Sequence, residues 1–85
     1  MATYKVLYWQ EIPSQVNAED FDDEVSLPLK PEFTELIDRL AMKRGLAGAD
    51  DFLSGWHWGD ETERDGTAQD VAAAVKAELE TQSYS

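Results

Sequence analysis

Ten residues near the start, Tyr4-Lys5-Val6-Leu7-Tyr8-Trp9-Gln10-Glu11-Ile12-Pro13, set the terms for what the rest of the chain can build. Side chains of an extended segment alternate between its two faces. Tyr4, Val6, Tyr8 and Ile12 therefore share one face, and Leu7 and Trp9 take the other beside Lys5 and Glu11. β-branched and aromatic residues suit a pleated, half-buried surface. Apolar groups on both faces call for a central strand, covered fully on one side and in part on the other. An edge strand would carry charge or proline against stray pairing. Pro13 has no N–H for the ladder, which predicts a bend at Ile12-Pro13-Ser14 and a second strand resuming at Gln15-Val16-Asn17-Ala18.

The segment Glu19-Asp20-Phe21-Asp22-Asp23-Glu24 is the most acidic of the chain and is placed at a hairpin tip, since Asp favours turns. A calcium loop needs a central glycine and ligands at alternating positions. This segment has no glycine, and the favoured reading is a solvated, mobile acidic turn. Val25, Leu27 and Leu29 alternate with Ser26 and Pro28 as a third short strand, which Pro28 places at an edge or strand end.

Pro31 suits the first position of a helix, and Phe33, Leu36, Ile37, Leu40 and Ala41 recur along one helical face. Gly45 is a left-handed stop, with Leu46 to make the accompanying apolar contact. Residues 48–54 predict a short helical turn with Phe52 and Leu53 inward. Gly55 to Gly59 predict a further strand, with Trp56 and Trp58 on one face and His57 on the other. Asp60 to Asp65 read as a polar connection. Thr67 and Asp70 resemble a capping box opening a second long helix, whose inner stripe is Val71, Val75 and Leu79, flanked by Ala72 and Ala74. Residues 82–85 are expected to fray. The sum is an α+β domain over residues 1–85: a small, mostly antiparallel sheet of three to four strands, two main helices on one face, and the order β-β-β-α-short α-β-α.

At 85 residues the chain buries roughly 60–65% of its unfolded surface, so its net stability is modest. Its 18 acidic and 7 basic residues give a net charge of −11. Direct binding to nucleic acid needs Lys and Arg facing phosphates, and it is disfavoured here along with anionic membranes. The absence of cysteine excludes disulfides, thiolate metal ligands and iron–sulfur ligation by this chain. The five glycines fall at helix stops and turns and not as a phosphate cradle, so no cofactor is expected. No apolar run reaches the length of a signal peptide or membrane span, and the cytoplasm is the expected location.

Tyr8-Trp9, Ile12-Pro13 and Gln15-Val16 resemble the start of the small bacterial "virulence factor" domain family, which is mostly uncharacterised. Gly45-Leu46, Gly48, Phe52-Leu53, Trp56, Trp58-Gly59, Arg64-Asp65-Gly66 and Val71-Ala72 continue the resemblance in order. Each piece is weak alone and the ordered set is specific. The pattern often carries arginine between the two tryptophans, so His57 departs from it. That departure argues against a shared histidine chemistry. Related domains also occur at the end of larger proteins with a scaffold-type region related to iron–sulfur assembly factors. The resemblance thus implies a module working through a partner.

The candidate site residues are Trp9, Gln15, His57, Trp58 and Arg64. Trp9 shares no face with Tyr8 and is expected on an uncovered side of the sheet, where a tryptophan makes an interface anchor. His57, the only histidine, can act as a base with Asp60 or Glu61, yet no serine or cysteine nucleophile stands in a recognised motif. A rim histidine is the simpler reading. Arg64 lies among Asp60, Glu61, Glu63 and Asp65, which suggests a local ion pair or a bidentate contact to a partner's carboxylate. Gln15 flanks the proline bend. The leading expectation is a non-catalytic interaction or accessory domain binding an unknown protein through an open sheet face. Two alternatives stay open: a small-ligand protein or minor enzyme with an aromatic pocket, and an acidic nucleic-acid mimic.

Overall fold

The computed structural model describes residues 1–46 and 48–82. Five strands form one sheet: β1 (Ala2–Trp9), β2 (Ile12–Glu19), β3 (Glu24–Pro28), β4 (Trp56–Trp58) and β5 (Thr62–Arg64). Three helices accompany them: α1 (Pro31–Lys43), the short α2 (Ala49–Ser54) and α3 (Ala68–Glu80). The strand order is β3-β2-β1-β4, with β5 also on β1, and every pairing is antiparallel. β1 is thus the central strand its composition calls for, and the architecture is α+β.

β5 occupies the segment expected to be a polar connection. Thr62 and Glu63 have charged neighbours and no apolar period, but β1 leaves Ala2, Thr3 and Tyr4 to be paired, and Arg64, Glu63 and Thr62 pair with them. β4 and β5 act as one strand interrupted at residues 59–61, with the Gly59 N–H donating to the Val6 carbonyl at 2.8 Å. Such an interruption blunts an exposed edge.

The bend expected at Ile12-Pro13-Ser14 lies elsewhere. The chain reverses at Gln10-Glu11, and β2 runs straight through Pro13. Tyr8 pairs with Pro13 and Leu7 with Gln15, which leaves Ser14 as an extra, bulged residue. A bulge is where a sheet accepts proline, since no ladder N–H is needed there. Ile12 and Pro13 pair with Trp9 and Tyr8 on opposite faces, and both are buried at this end of the sheet.

Gln10 holds a left-handed backbone (φ 52°), unusual for a residue with a side chain. Its surroundings hold it in that conformation. Its N–H donates to the Gly55 carbonyl at 2.8 Å, and its side-chain oxygen accepts from Arg44. Arg44, at the end of α1, also pairs with Glu11 and holds that carboxyl below the usual carboxylate range.

One cluster of buried residues joins the layers. Val6, Val16 and Ala18 of the sheet meet Phe33, Ile37, Leu40 and Ala41 of α1, and Ala68, Val71, Ala72 and Val75 of α3. Pro31 opens α1 as expected. At its end the Leu46 N–H reaches the Ala41 carbonyl (2.7 Å) and the Gly45 N–H reaches Met42 (3.2 Å), around Gly45 at φ 71°. That is the double bond pattern of a glycine helix stop.

α3 is capped twice. The Thr67 hydroxyl accepts from the Asp70 N–H at 3.1 Å, and the Asp20 carboxylate accepts from the Ala68 N–H at 2.8 Å. The other Asp20 oxygen accepts from the N–H groups of Asp22 and Asp23, at 2.8 Å each. The turn expected to be solvated and mobile is exposed, and Asp20 ties it to the start of α3.

These bonds, the Ala68 contact first, hold the Asp20 carboxyl below its usual range. The folded state then favours the charged form. Its contribution is complete above the unfolded-state value near pH 3.9 and is lost as pH falls through the lowered folded-state value. Asp20→Asn is accordingly expected to lower the unfolding temperature at pH 7. The gap from wild type should narrow as the pH falls below about 4 and close only below the lowered folded-state value, where both side chains are neutral. Thermal unfolding followed by circular dichroism from pH 7 to pH 2 checks it, and a gap constant across that range would contradict the capping role. In the tail expected to fray, 82–85, the Gln82 N–H donates to the Leu79 carbonyl at 3.3 Å, and residues 83–85 lie outside the described residues.

Candidate functional site

Cross-strand partners stand on the same face of a sheet, so the pairing register reads out both surfaces. On the helix side lie Val6, Val16 and Leu27 in one row and Thr62, Tyr4, Ala18 and Val25 in another. The opposite side alternates with these and stays half-buried or exposed.

That open face is graded. Its first row is Trp58, Leu7, Gln15 and Pro28, running across four strands. The second is Lys5, Asn17 and Ser26. The third is Glu63, Thr3, Glu19 and Glu24. Successive rows are two residues apart along a strand, or about 7 Å. The surface passes from a largely apolar row, through a polar one that carries the Lys5 ammonium, to an acidic one.

Hydrogen bonds fix the middle of this gradient. Asn17 Oδ1 accepts from Gln15 Nε2 and from Ser26 Oγ, both at 3.0 Å. Trp58 is 44% exposed, and the Lys5 ammonium sits 4.6 Å from its ring centroid. A cation over an indole face holds the ring in place without burying its outer edge. Thr3, Lys5, Asn17, Glu19, Glu24 and Glu61 contribute to a hollow of about 130 Å³ at the acidic end.

The five residues expected to act together are not together. Trp58 and Gln15 share the first row, joined through Leu7. Trp9 is fully buried, which overturns its expected place on the uncovered side. Its indole stacks on Phe52 at 5.6 Å, and Nε1 donates to the Phe52 carbonyl at 2.9 Å. Alternation along a flat strand put Trp9 on the open side. Phe52 of α2 covers this end of the sheet instead. Leu53, expected inward beside Phe52, is 64% exposed instead, because only Phe52 reaches the tryptophan.

His57 stands across from Tyr8, on the side opposite Trp58. Its ring stacks on Tyr8 at 5.6 Å, and Nε2 lies 2.8 Å from the Gln10 carbonyl. A carbonyl only accepts, so the ring hydrogen is assigned to Nε2. His57 thus braces the hairpin turn and makes no contact with Asp60 or Glu61.

Arg64 makes no ion pair with its sequence neighbours. It spans to α3 and grips Glu78 with both guanidinium arms, at 3.1 and 2.6 Å. The bond lowers the Glu78 carboxyl and raises the Arg64 guanidinium from their usual values. The bidentate contact the sequence suggested for a partner is made within the chain. An aromatic pocket combining Trp9, Trp58, His57 and Arg64 is therefore not formed.

Glu78 and Glu80 are structural partners that reading the sequence missed, as are the bonds joining Asp20 to Ala68 and Trp9 to Phe52, although the sequence places Asp20 at the turn and Phe52 inward. Glu80 accepts from the Lys30 N–H at 2.8 Å, opening α1 from 50 residues away, and also pairs with Lys76 at 3.2 Å. The long-range bonds of these residues carry no local signal, since each acts on a group far along the chain. Among the described residues, no three His, Cys, Asp or Glu side chains are placed to hold a metal ion. No helix among them is long and apolar enough to cross a membrane.

An antiparallel sheet with helices on its core side and a graded bare face defines an α+β domain. The sequence profile of the family described as "Virulence factor" matches residues 7–85, and the chain belongs to that family. No curated protein and no solved structure matches it.

Proposed function

We propose that the chain is a non-catalytic interaction or accessory domain that binds a protein partner through its open sheet face. The observation that carries the reading is the row Trp58, Leu7, Gln15 and Pro28, with the half-exposed Trp58 at one end. A partly exposed tryptophan beside other apolar groups has the composition of an interface centre. The acidic row about 14 Å away, at two such spacings, favours a partner carrying Lys or Arg there. The net charge of −11 would hasten the approach of such a partner.

The contact set is narrower than the sequence suggested. It keeps Trp58 and Gln15, adds Leu7, and leaves out Trp9, His57 and Arg64, which bind within the fold. Trp58→Ala is expected to weaken partner capture by about tenfold or more, as for an interface anchor, with the fold intact. A native pull-down from the source cell, comparing wild type with Trp58→Ala and His57→Ala, tests this. A protein held by wild type and His57→Ala but lost with Trp58→Ala supports the open face. Equal retention by all three folded proteins contradicts it.

A further inference from the structure

The turn between β2 and β3 carries Phe21 with its ring wholly in solvent, at 102% relative exposure. A lone exposed apolar residue is ordinary. This one is held out on a braced support. Asp20 donates its N–H to the Asp23 carbonyl at 2.9 Å, and its carboxylate is taken up by Asp22, Asp23 and Ala68. A turn whose backbone is fixed before binding loses less entropy on docking. Phe21 also borders a hollow of about 260 Å³ with Met1, Thr3 and Glu19.

The surrounding charge narrows what can cover the ring. Glu19, Asp22, Asp23 and Glu24 take part in no ion pair among the described residues. Glu19 and Glu24 are direct cross-strand partners, and like charges so placed repel. A cation between them removes that repulsion. A second copy would bring the same acids, and an anionic lipid surface would repel them.

We propose that this turn is a docking element of its own: Phe21 enters an apolar pocket on a basic protein, and Lys or Arg at the pocket rim meets Glu19, Asp22, Asp23 and Glu24. It shares Glu19 and Glu24 with the acidic row of the open face but has its own anchor, Phe21, so it does not depend on Trp58.

Three defined peptides test it by calorimetric titration: a leucine–lysine helix with one apolar stripe, its leucine–glutamate counterpart, and a lysine–serine peptide of equal charge. The leucine–lysine peptide is expected to bind, and Phe21→Ala to weaken it by about tenfold, the scale of one lost apolar anchor. Lysine–serine binding should be weaker and indifferent to Phe21→Ala, and leucine–glutamate should not bind. Unchanged leucine–lysine affinity in Phe21→Ala overturns the proposal, as does equal binding of the glutamate peptide. Loss with Trp58→Ala alone would also overturn it while sustaining the open face. Loss with Phe21→Ala, alone or together with Trp58→Ala, sustains it.

Discussion

Trp9→Ala is expected to cost about 3–5 kcal/mol of stability, as for other large aromatic truncations in a core. Set against a total on the order of 5–15 kcal/mol for a small domain, that brings the chain close to unfolding. Three losses combine. The indole is fully buried, so its removal leaves a cavity. The Phe52 ring loses its stacking partner, and the Phe52 carbonyl loses its donor. Trp9→Phe keeps an aromatic ring but still orphans that carbonyl, so an intermediate loss is expected. Urea unfolding followed by circular dichroism measures both. A loss below about 1 kcal/mol for Trp9→Ala, the size typical of a surface or lightly packed site, would mean that the tryptophan is not core.

Gly55→Ala acts on the same indole from the other side. A methyl group on Gly55 would lie 2.6 Å from Trp9 Nε1, 3.0 Å from Cε2 and 3.1 Å from Cδ1. The backbone itself raises no objection, since Gly55 has φ −77°. Only space is short. Trp9 is buried and hydrogen-bonded and has nowhere to retreat, so the overpacking is expected to cost about 1–3 kcal/mol. The cost should shrink in a Trp9→Ala background, where the methyl has room. A double-mutant cycle reads this coupling directly. Strict additivity of the two substitutions would contradict the contact.

Why Trp9 misled while its neighbours did not is instructive. Tyr4 and Val6 lie in the middle of β1, where the period of two holds and the helices cover one side, so alternation gave their face. Trp9 lies at the strand end, where the pairing slips at Ser14 and Phe52 of α2 packs on its ring. Its burial depends on Phe52, 43 residues further on, and nothing local announces that.

The helices were legible for the opposite reason. Pro31, Gly45 and Thr67 act on backbone within a few residues, and each did what its chemistry dictates. β5 was not legible, because Thr62-Glu63-Arg64 form a strand only where β1 offers an unpaired edge. The candidate site divided along the same line. Trp58 and Gln15 come together through short-range alternation plus strand register. Arg64 and His57 were claimed by Glu78 and Gln10, partners that register and helix packing bring from afar.

The open face as the working surface is tested most directly by hydroxyl-radical footprinting of the domain, free and in its captured complex. The expected result is a fall in Trp58 oxidation on complex formation, with Trp9 unreactive in both states and the exposed Met42 of α1 unchanged. Full Trp58 reactivity in the complex, with Met42 protected instead, would place the partner on the helical side and contradict the account.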